Sequence, residues 1–195
     1  MIEEILKLDS KLFLFLNNLG TPKFDTFWIS LSMIEANILM YLFLIFLLFY
    51  TQKTRPKFLY IFYLLSVIAL MITITDQGAN IFKDYFQRLR PCYDESIKDS
   101  LRLVKENCGG KYGFFSAHAS NSFSLAIFFG LLFKNRIRYI IIITMIYALL
   151  ISYSRIYLGV HFPIDIIVGS SFGICLGIIM YSFVYLKFLK FFNKT

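Results

Sequence analysis

Apolar residues gather along this chain into five long runs, and polar residues are largely confined to the stretches between them. A helix that spans a bilayer needs roughly 20 mostly apolar residues, and in lipid only helices or closed barrels pair every backbone polar group. These runs are too long and too uniform for barrel strands. The pattern therefore predicts an all-α, polytopic helical membrane bundle. The five predicted transmembrane helices are Phe27–Tyr50, Phe58–Thr75, Ala117–Phe133, Ile137–Tyr153 and Phe162–Phe188.

The first 20 residues have a different pattern, in which apolar side chains recur at helical spacing. They start with Glu3 and Glu4 and lack a cleavage site, so they are not a signal peptide. We predict an amphipathic helix over residues 1–20 that either lies in the membrane interface or packs against the bundle. Its apolar stripe consists of Ile5, Leu8, Leu12, Phe15, Leu16 and Leu19.

Composition agrees with a membrane protein, because 58% of the residues are hydrophobic and the mean hydropathy is +0.67. The net charge of +8 indicates topology. The connections 51–57 and 134–138 and the tail after Tyr185 carry basic but no acidic residues, which places them in the cytoplasm. The loop 87–115 and the turn 155–161 then lie outside, and we expect no nucleic-acid partner.

The long outer loop, residues 87–115, is predicted to cap a site, with a short helix around Asp94–Val104. It contains Cys92 and Cys108. Because an outer loop faces an oxidising compartment, we favour a disulfide between them over two free thiols. Zinc is not indicated, because neither the cysteines nor the histidines have metal-ligand spacing. There are no internal repeats, so we expect residues 1–195 to form one integral-membrane domain.

A polar cluster between the fourth and fifth runs combines a cation, a histidine and a carboxylate. Ser154 and Arg155 end the fourth run, and His161, Pro163 and Asp165 begin the fifth. Pro163 suits the first position of a helix, which places Asp165 within reach of one imidazole nitrogen of His161. That contact would fix the tautomer and leave the other nitrogen free as a nucleophile. The guanidinium of Arg155 suits phosphate oxygens.

Two more clusters lie at the outer ends of the second and third runs. Ser116 is the predicted N-cap of the third helix, whose free amides favour an anion. His118, in the first turn, is a candidate proton donor. Lys83, with Arg90 and Pro91, adds two cations. Taken singly, each residue is more often an ordinary interfacial side chain. Together, the only two histidines and three cations meet on one predicted membrane face.

The spacing of these residues resembles the three signature motifs of the type 2 phosphatidic acid phosphatase superfamily, which also includes vanadium haloperoxidases and bacterial acid phosphatases. The second motif departs from the Pro-Ser-Gly-His of that family at Phe115 and Ala117. The matching residues are Lys83, Arg90 and Pro91 in the first motif, Ser116 and His118 in the second, and Ser154, Arg155, His161 and Asp165 in the third.

The resemblance implies a two-step phosphoryl transfer through a phosphohistidine. His161 would attack phosphorus, His118 would protonate the leaving oxygen and then activate water, and Asp165 would orient His161. Because the protein supplies the cations and few acidic residues lie nearby, we expect no metal and no cofactor. The phosphate oxygens would be held by Lys83, Arg90, Ser116 and Arg155.

Two further charged residues near the outer face each have two interpretations. Asp76 shares a helical face with Lys83, and it is either a supporting partner of Lys83 or Arg90 or a boundary residue that contacts headgroups. Arg88 is either a further phosphate ligand or a solvated loop charge, and we favour the solvated charge. Glu35, inside the first run, has no assigned role.

These observations predict a metal-independent lipid phosphatase of the bacterial cytoplasmic (inner) membrane, with its site facing the periplasm. Its partners would be the lipid bilayer and a membrane lipid phosphate. Undecaprenyl diphosphate and a lipid A phosphate are favoured, because an outward-facing site suits both, and phosphatidylglycerophosphate and phosphatidate remain candidates. The alternatives are a vanadate-dependent oxidase on the same phosphate cradle and a non-catalytic membrane protein that binds or transports phospholipids.

Overall fold

The computed structural model describes residues 1–51, 58–105 and 107–188, and these residues contain seven α-helices and no β-strand. Three of the helices are long and apolar enough to cross a membrane, or four if the bent pair α2 and α3 counts as one span. The predicted fold class, a helical membrane bundle, is confirmed. The helices are α1 Ile2–Asn18, α2 Asp25–Ser32, α3 Ile34–Thr51, α4 Phe58–Phe86, α5 Ala117–Phe133, α6 Ile140–Tyr157 and α7 Pro163–Ile179, and α7 continues through a π-helical segment, Met180–Tyr185.

The predicted first span, Phe27–Tyr50, is not one continuous helix in the structure. Met33 has an extended backbone, and the helical segments on either side of it are bent by 55°. The side-chain amide of Asn37 donates to the Met33 carbonyl at 2.7 Å and so pairs a backbone group that the break exposes. The break also turns Ser32 toward α6, where its hydroxyl accepts a hydrogen bond from Arg155.

Helix α5 is the centre of the bundle and packs on α4, α6 and α7. Its closest neighbour is α7, because small residues on both helices let the two backbones approach, as in many membrane helix pairs. A Cβ added at Gly169 or Gly177 would lie 2.6 Å from the carbonyl oxygen of Ser116 or Ser124. This packing fixes the first turn of α5 beside the first turn of α7. The facing residues are Gly169, Gly173 and Gly177 on α7 and Ser116, Ser120 and Ser124 on α5.

Helix α1 packs on α6 and α7 through a face that differs from its predicted apolar stripe. Asp9, Phe13 and Asn17 are buried there. The amide nitrogen of Asn17 lies 3.0 Å from three carbonyl oxygens, one in the cap loop and two at the end of α6. Most of the stripe stays exposed, from 47% at Leu12 to 65% at Leu8, and only Leu16 is partly buried. Of the two predicted alternatives, the structure shows packing against the bundle, and a position in the membrane interface stays a prediction.

The loop 87–115 covers the end of the bundle, but its described residues form no α-helix. The helix predicted around Asp94–Val104 is wrong. The carboxylate of Asp94 accepts hydrogen bonds from the backbone and hydroxyl of Ser96, which favours a turn over a helix. Cys92 and Cys108 are joined by a disulfide, with their Cα atoms 6.5 Å apart.

Candidate active site

Four helix ends meet beneath the loop 87–115 and bring the predicted site residues together. His161 lies in the short turn between α6 and α7, where Gly159, with φ of +80°, lets the chain reverse. The residue is 2% exposed, and its Nδ1 lies 3.4 Å from Oδ2 of Asp165. The same carboxylate oxygen accepts the backbone N–H of Phe162 at 3.0 Å. Asp165 therefore caps α7 and lies at the Nδ1 edge of the imidazole.

Three site residues pack closely around Gly113, in the loop 87–115. A Cβ at this position would lie 3.1 Å from Cγ of Arg90, 3.2 Å from Oδ2 of Asp165 and 3.6 Å from Nδ1 of His161. A larger residue would therefore displace the side chains of Arg90 and Asp165 by a few tenths of an ångström. Nearby, the backbone N–H of Ser116 donates to the Asp165 carbonyl at 3.0 Å, so the start of α5 is tied directly to the start of α7.

The first turn of α5 presents its polar groups to the same region. The Ser116 hydroxyl accepts the N–H of Ala119 at 3.4 Å, as an N-cap does. Phe115, in the place of the family's proline, is fully buried and packs against Phe82 and Phe172. The departure from the family motif thus fills space between α4 and α7 and leaves Ser116 in capping position.

Two guanidinium groups are fixed by the protein before any substrate binds. Arg155 is 5% exposed and donates to Ser32, while its Nε is buried without a hydrogen-bond partner among the described residues. A buried unpaired donor is unfavourable, so this N–H is available for an anion. Arg90 is held by the loop, because it donates to the carbonyls of Cys108 at 2.7 Å and Tyr112 at 3.2 Å.

The electrostatic environment keeps His161 neutral. Burial lowers the pKa of His161 well below 6.5, the positive charges of Arg155, Arg90 and Lys83 lower it further, and a hydrogen bond with the backbone of Gly113 acts in the opposite direction. A neutral imidazole has the lone pair that a nucleophile needs. Because the charge of Lys83 acts on His161 together with those of Arg155 and Arg90, Lys83, at the end of α4, belongs to the same group of cations.

Lys105, in the loop 87–115, is a candidate that the sequence analysis missed. Burial lowers its pKa, and the charges of Arg155 and Arg90 lower it further, so its ammonium shares their surroundings. It is half-buried and forms no ion pair with any described residue. No motif indicates it, because loop lysines have no characteristic spacing.

Arg88 is not the solvated charge that we favoured. Its side chain is only 17% exposed and forms ion pairs with Asp9 and Asp165. Asp9, on α1, is a second residue that the sequence analysis did not single out. Both pairings join residues more than 70 positions apart in the chain, and local spacing gives no signal for them.

Asp76 lies on α4 and accepts a hydrogen bond of 2.8 Å from the amide of Asn121 on α5. None of its hydrogen bonds among the described residues goes to Lys83 or Arg90. It lines a cavity of about 280 Å³ between α3, α4, α5 and α6, which also reaches His118. Most of the cavity wall is apolar, with Tyr41 and Leu125 among its residues.

No group of three or more histidine, cysteine, aspartate or glutamate side chains suited to a metal ion occurs among residues 1–51, 58–105 and 107–188. Both histidines lie among the same cations beneath the loop 87–115. Positive charge in the pocket comes from side chains of the protein.

Comparison with known proteins agrees with this arrangement. The profile of the PAP2 superfamily matches residues 59–189. The chain belongs to the PAP2 superfamily. Two relatives carry the name lipid A 4'-phosphatase: a Porphyromonas gingivalis protein, 37% identical over 95% of this chain and 76% of its own, and one from Bacteroides thetaiotaomicron, 35% identical over 89% and 75%.

Solved structures of PAP2 proteins have the same fold. The crystal structure of Aquifex aeolicus LpxE matches with a TM-score of 0.67 and 27% identity, covering 89% of this chain and 94% of its own. The transmembrane PAP2 phosphatidylglycerolphosphate phosphatase of Bacillus subtilis matches with a TM-score of 0.68 and 18% identity, covering 92% and 86%. The predicted family and enzyme class are confirmed: the chain is a PAP2 phosphatase and a multi-pass bacterial membrane protein.

Proposed function

We propose that this PAP2 phosphatase removes a phosphate group from lipid A. The proposal is carried by the convergence of a neutral, buried His161 with fixed cations, in a chain similar along most of its length to two lipid A 4'-phosphatases. Of the lipid phosphates that the sequence analysis left open, lipid A is the one that these relatives favour.

In the first chemical step, Nε2 of His161 attacks the phosphorus of the phosphate ester. The nitrogen–phosphorus bond forms as the bond to the sugar oxygen breaks, and His118 gives its proton to that departing oxygen. Asp165 holds the Nδ1–H of the imidazole, so the positive charge that develops on the ring is balanced. Arg155, Arg90 and Lys83 stabilise the charge on the three nonbridging oxygens.

In the second step, water replaces the histidine. His118, now neutral, takes a proton from a water molecule whose oxygen attacks phosphorus. The phosphorus–nitrogen bond breaks, inorganic phosphate leaves, and His161 returns to its neutral state. One imidazole thus serves as the acid in the first step and as the base in the second.

The cavity beside His118 supports a lipid rather than a soluble substrate. It lies on the leaving-group side of the proposed reaction, and its wall is mainly apolar apart from groups such as Asp76 and Asn121. We propose that the sugar and the start of an acyl chain occupy it. Asp76 would then act by fixing Asn121 in the cavity wall, rather than by contacting Lys83.

We propose that the site faces the periplasm and that the membrane is the bacterial inner membrane. The basic connection 134–138 lies between α5 and α6 at their far ends from Ser116 and Arg155. By the positive-inside rule the site then lies outside the cytoplasm. The other two basic segments fall mostly on residues 52–57 and 189–195, outside the described residues. The exposed stripe of α1 would then lie at the periplasmic interface of the inner membrane.

Phosphate release from a panel of lipids tests the substrate. Purified enzyme in detergent is assayed with lipid A, undecaprenyl diphosphate, phosphatidylglycerophosphate and phosphatidate, with the His118→Ala and His161→Ala variants in parallel. We expect the highest kcat/KM with lipid A, a loss of at least about 100-fold in both variants, and full activity in EDTA. A preference for another lipid would reject the substrate and keep the reaction.

The same assay separates the two alternative functions. A membrane protein that only binds or transports phospholipids would release no phosphate from any lipid in the panel. A vanadate-dependent oxidase would oxidise halide in the presence of vanadate and peroxide, whereas the proposed phosphatase is inhibited by vanadate without halide oxidation.

A further inference from the structure

A buried chain of charges connects α1 to the carboxylate that holds His161. Nη1 of Arg88 lies 2.8 Å from Oδ1 of Asp165, and Nη2 of Arg88 lies 2.5 Å from Oδ2 of Asp9. The carboxylate side chains are 0% and 1% exposed. Away from water, such charge-assisted hydrogen bonds are strong, and loss of one partner leaves a costly unpaired charge. The three side chains therefore form one unit.

In each of the two carboxylates, the two oxygens contact different partners. In Asp165, Oδ1 accepts Arg88, while Oδ2 faces His161 Nδ1 at 3.4 Å and the N–H of Phe162 at 3.0 Å. In Asp9, Oδ2 accepts Arg88, while Oδ1 accepts the N–H of Ile164, in the first turn of α7, at 3.0 Å. Arg88 thus sets the rotation of the carboxylate that contacts the nucleophile, and Asp9 sets the position of Arg88.

Aromatic contacts fix the same unit from the side. Cζ of Arg88 lies 4.2 Å from the centre of the Phe162 ring, and the ring of Phe13, on α1, meets that of Phe162 edge-on with centroids 5.3 Å apart. Phe162 directly follows His161 in the chain. A shift of Arg88 would therefore act on the nucleophile both through Asp165 and through the backbone.

Attachment of α1 does not by itself require a buried carboxylate. Asn17 already joins α1 to the loop 87–115 and to the end of α6 through neutral hydrogen bonds, and Phe13 is fully buried. Burial raises the pKa of Asp9, and Arg88 acts in the opposite direction. Asp9 is unfavourable to bury, and it lies beside a site where cations surround the nucleophile, which indicates a role in the charge balance of that site.

We propose that Asp9 and Arg88 are positioning residues for the phosphoryl transfer, which keep Asp165 ionised and oriented so that His161 attacks through Nε2. This inference rests on the proposed function. Two carboxylates and one guanidinium leave one negative charge beside the imidazole. That charge balances the positive charge that His161 acquires as the nitrogen–phosphorus bond forms, in a pocket whose other fixed charges are cations.

The test compares Asp9→Asn with a matched control, Asp25→Asn. Asp25 pairs with Arg102, another arginine of the loop 87–115, at the same N···O distance of 2.5 Å, and this pair does not touch His161. We expect Asp9→Asn to lower kcat by about 10- to 100-fold with KM within about threefold. Asp25→Asn should keep kcat within about threefold of wild type. Arg88→Lys retains the positive charge but not the planar guanidinium that binds both carboxylates, so its kcat should lie between those of the other two variants.

Nitrogen NMR on histidine-labelled protein gives a readout that does not need turnover, since the chain has only two histidines. Wild type should show His161 with its proton on Nδ1. In Asp9→Asn the share of that tautomer should fall, and the pKa of His161 should fall further because a nearby negative charge is lost. The charged and titratable groups that face His161 are Asp165 on α7, Arg155 on α6, Lys83 on α4, His118 on α5 and Arg90 from the loop 87–115.

The outcomes are separable. Unchanged kcat and unchanged His161 signals in Asp9→Asn would overturn the inference. Equal losses of kcat and of the thermal unfolding midpoint in Asp9→Asn and Asp25→Asn would also overturn it, because both ion pairs would then have only a structural role. If wild type releases no phosphate from any lipid, the proposed function fails, and the NMR comparison still decides whether Asp9 controls the tautomer of His161.

Discussion

Replacement of Gly169 by alanine should separate the two halves of the active site. In the structure an added Cβ would lie 2.6 Å from the carbonyl oxygen of Ser116, whereas ordinary contacts start at 3.4 Å. The atom it meets is backbone, which cannot swing aside. Helices α5 and α7 must therefore part locally by about 0.8 Å. That movement shifts Ser116 and His118 away from His161.

The free-energy balance should be unfavourable despite the better helix propensity of alanine. The propensity gain is at most about 1 kcal/mol, and insertion of a methyl group into a tightly packed contact typically costs about 1–3 kcal/mol. Misplacement of reacting groups by about 1 Å can lower a rate about 100-fold. We expect Gly169→Ala to unfold at a slightly lower temperature and to lose about 10- to 100-fold in kcat.

Gly78→Ala on α4 is the matched control, because its nearest neighbour is the tip of the Phe172 ring at 3.2 Å, which can move. The assay is phosphate release from lipid A in detergent, with thermal unfolding measured on the same samples. If Gly169→Ala keeps both wild-type kcat and wild-type thermal stability, the close contact of α5 with α7 does not set the site geometry.

Three further predictions test separate parts of the site. Lys105→Met should raise the KM for lipid A by about tenfold, because a charge-assisted contact to the phosphate is lost. The control Lys98→Met, elsewhere in the loop 87–115, should leave KM unchanged. Equal KM values in the two variants would show that Lys105 does not contact the substrate. Cys92→Ser should lower the unfolding free energy by about 3 kcal/mol and Cys175→Ser should not, as denaturation with and without reductant will show. The neutral form of His161 reacts, and its pKa lies below 6.5. Activity should therefore persist as the pH falls through 6.5 and decline only at lower pH. A decline of kcat/KM that begins above pH 6.5 would contradict this.

Much of the site could be predicted from the sequence, because its chemistry lies at the ends of apolar helices. The spacing from His161 to Asp165 is one helical turn, and Pro163 marks where that helix starts. Such local relations follow from helix geometry alone. The membrane-bundle class followed in the same way from the length of the apolar runs.

The missed features depend on contacts that local pattern does not encode. The pairings of Arg88 with Asp9 and Asp165 are set by how α1 docks on α7, and a loop arginine next to Arg90 has no periodicity to mark it. The bend at Met33 lies among the few polar residues of the predicted span, but no proline or glycine between Phe27 and Tyr50 marks it as a helix break.

One long-range contact did have a readable signal. Glycines recur every four residues at Gly169, Gly173 and Gly177, and serines recur every four residues at the start of α5. Small residues at that spacing favour close helix pairs in membranes. Of those serines, only Ser116 is assigned a role from the sequence, as a helix cap.

The most direct test of the proposed mechanism is to locate the phosphoryl group during turnover. Lipid A with a radioactive phosphate is mixed with enzyme, the reaction is quenched in base within milliseconds, and the labelled peptide is identified by mass spectrometry. The account predicts an acid-labile phosphohistidine at His161 and no label in His161→Ala. Label on His118, or full turnover without any labelled protein, would contradict it.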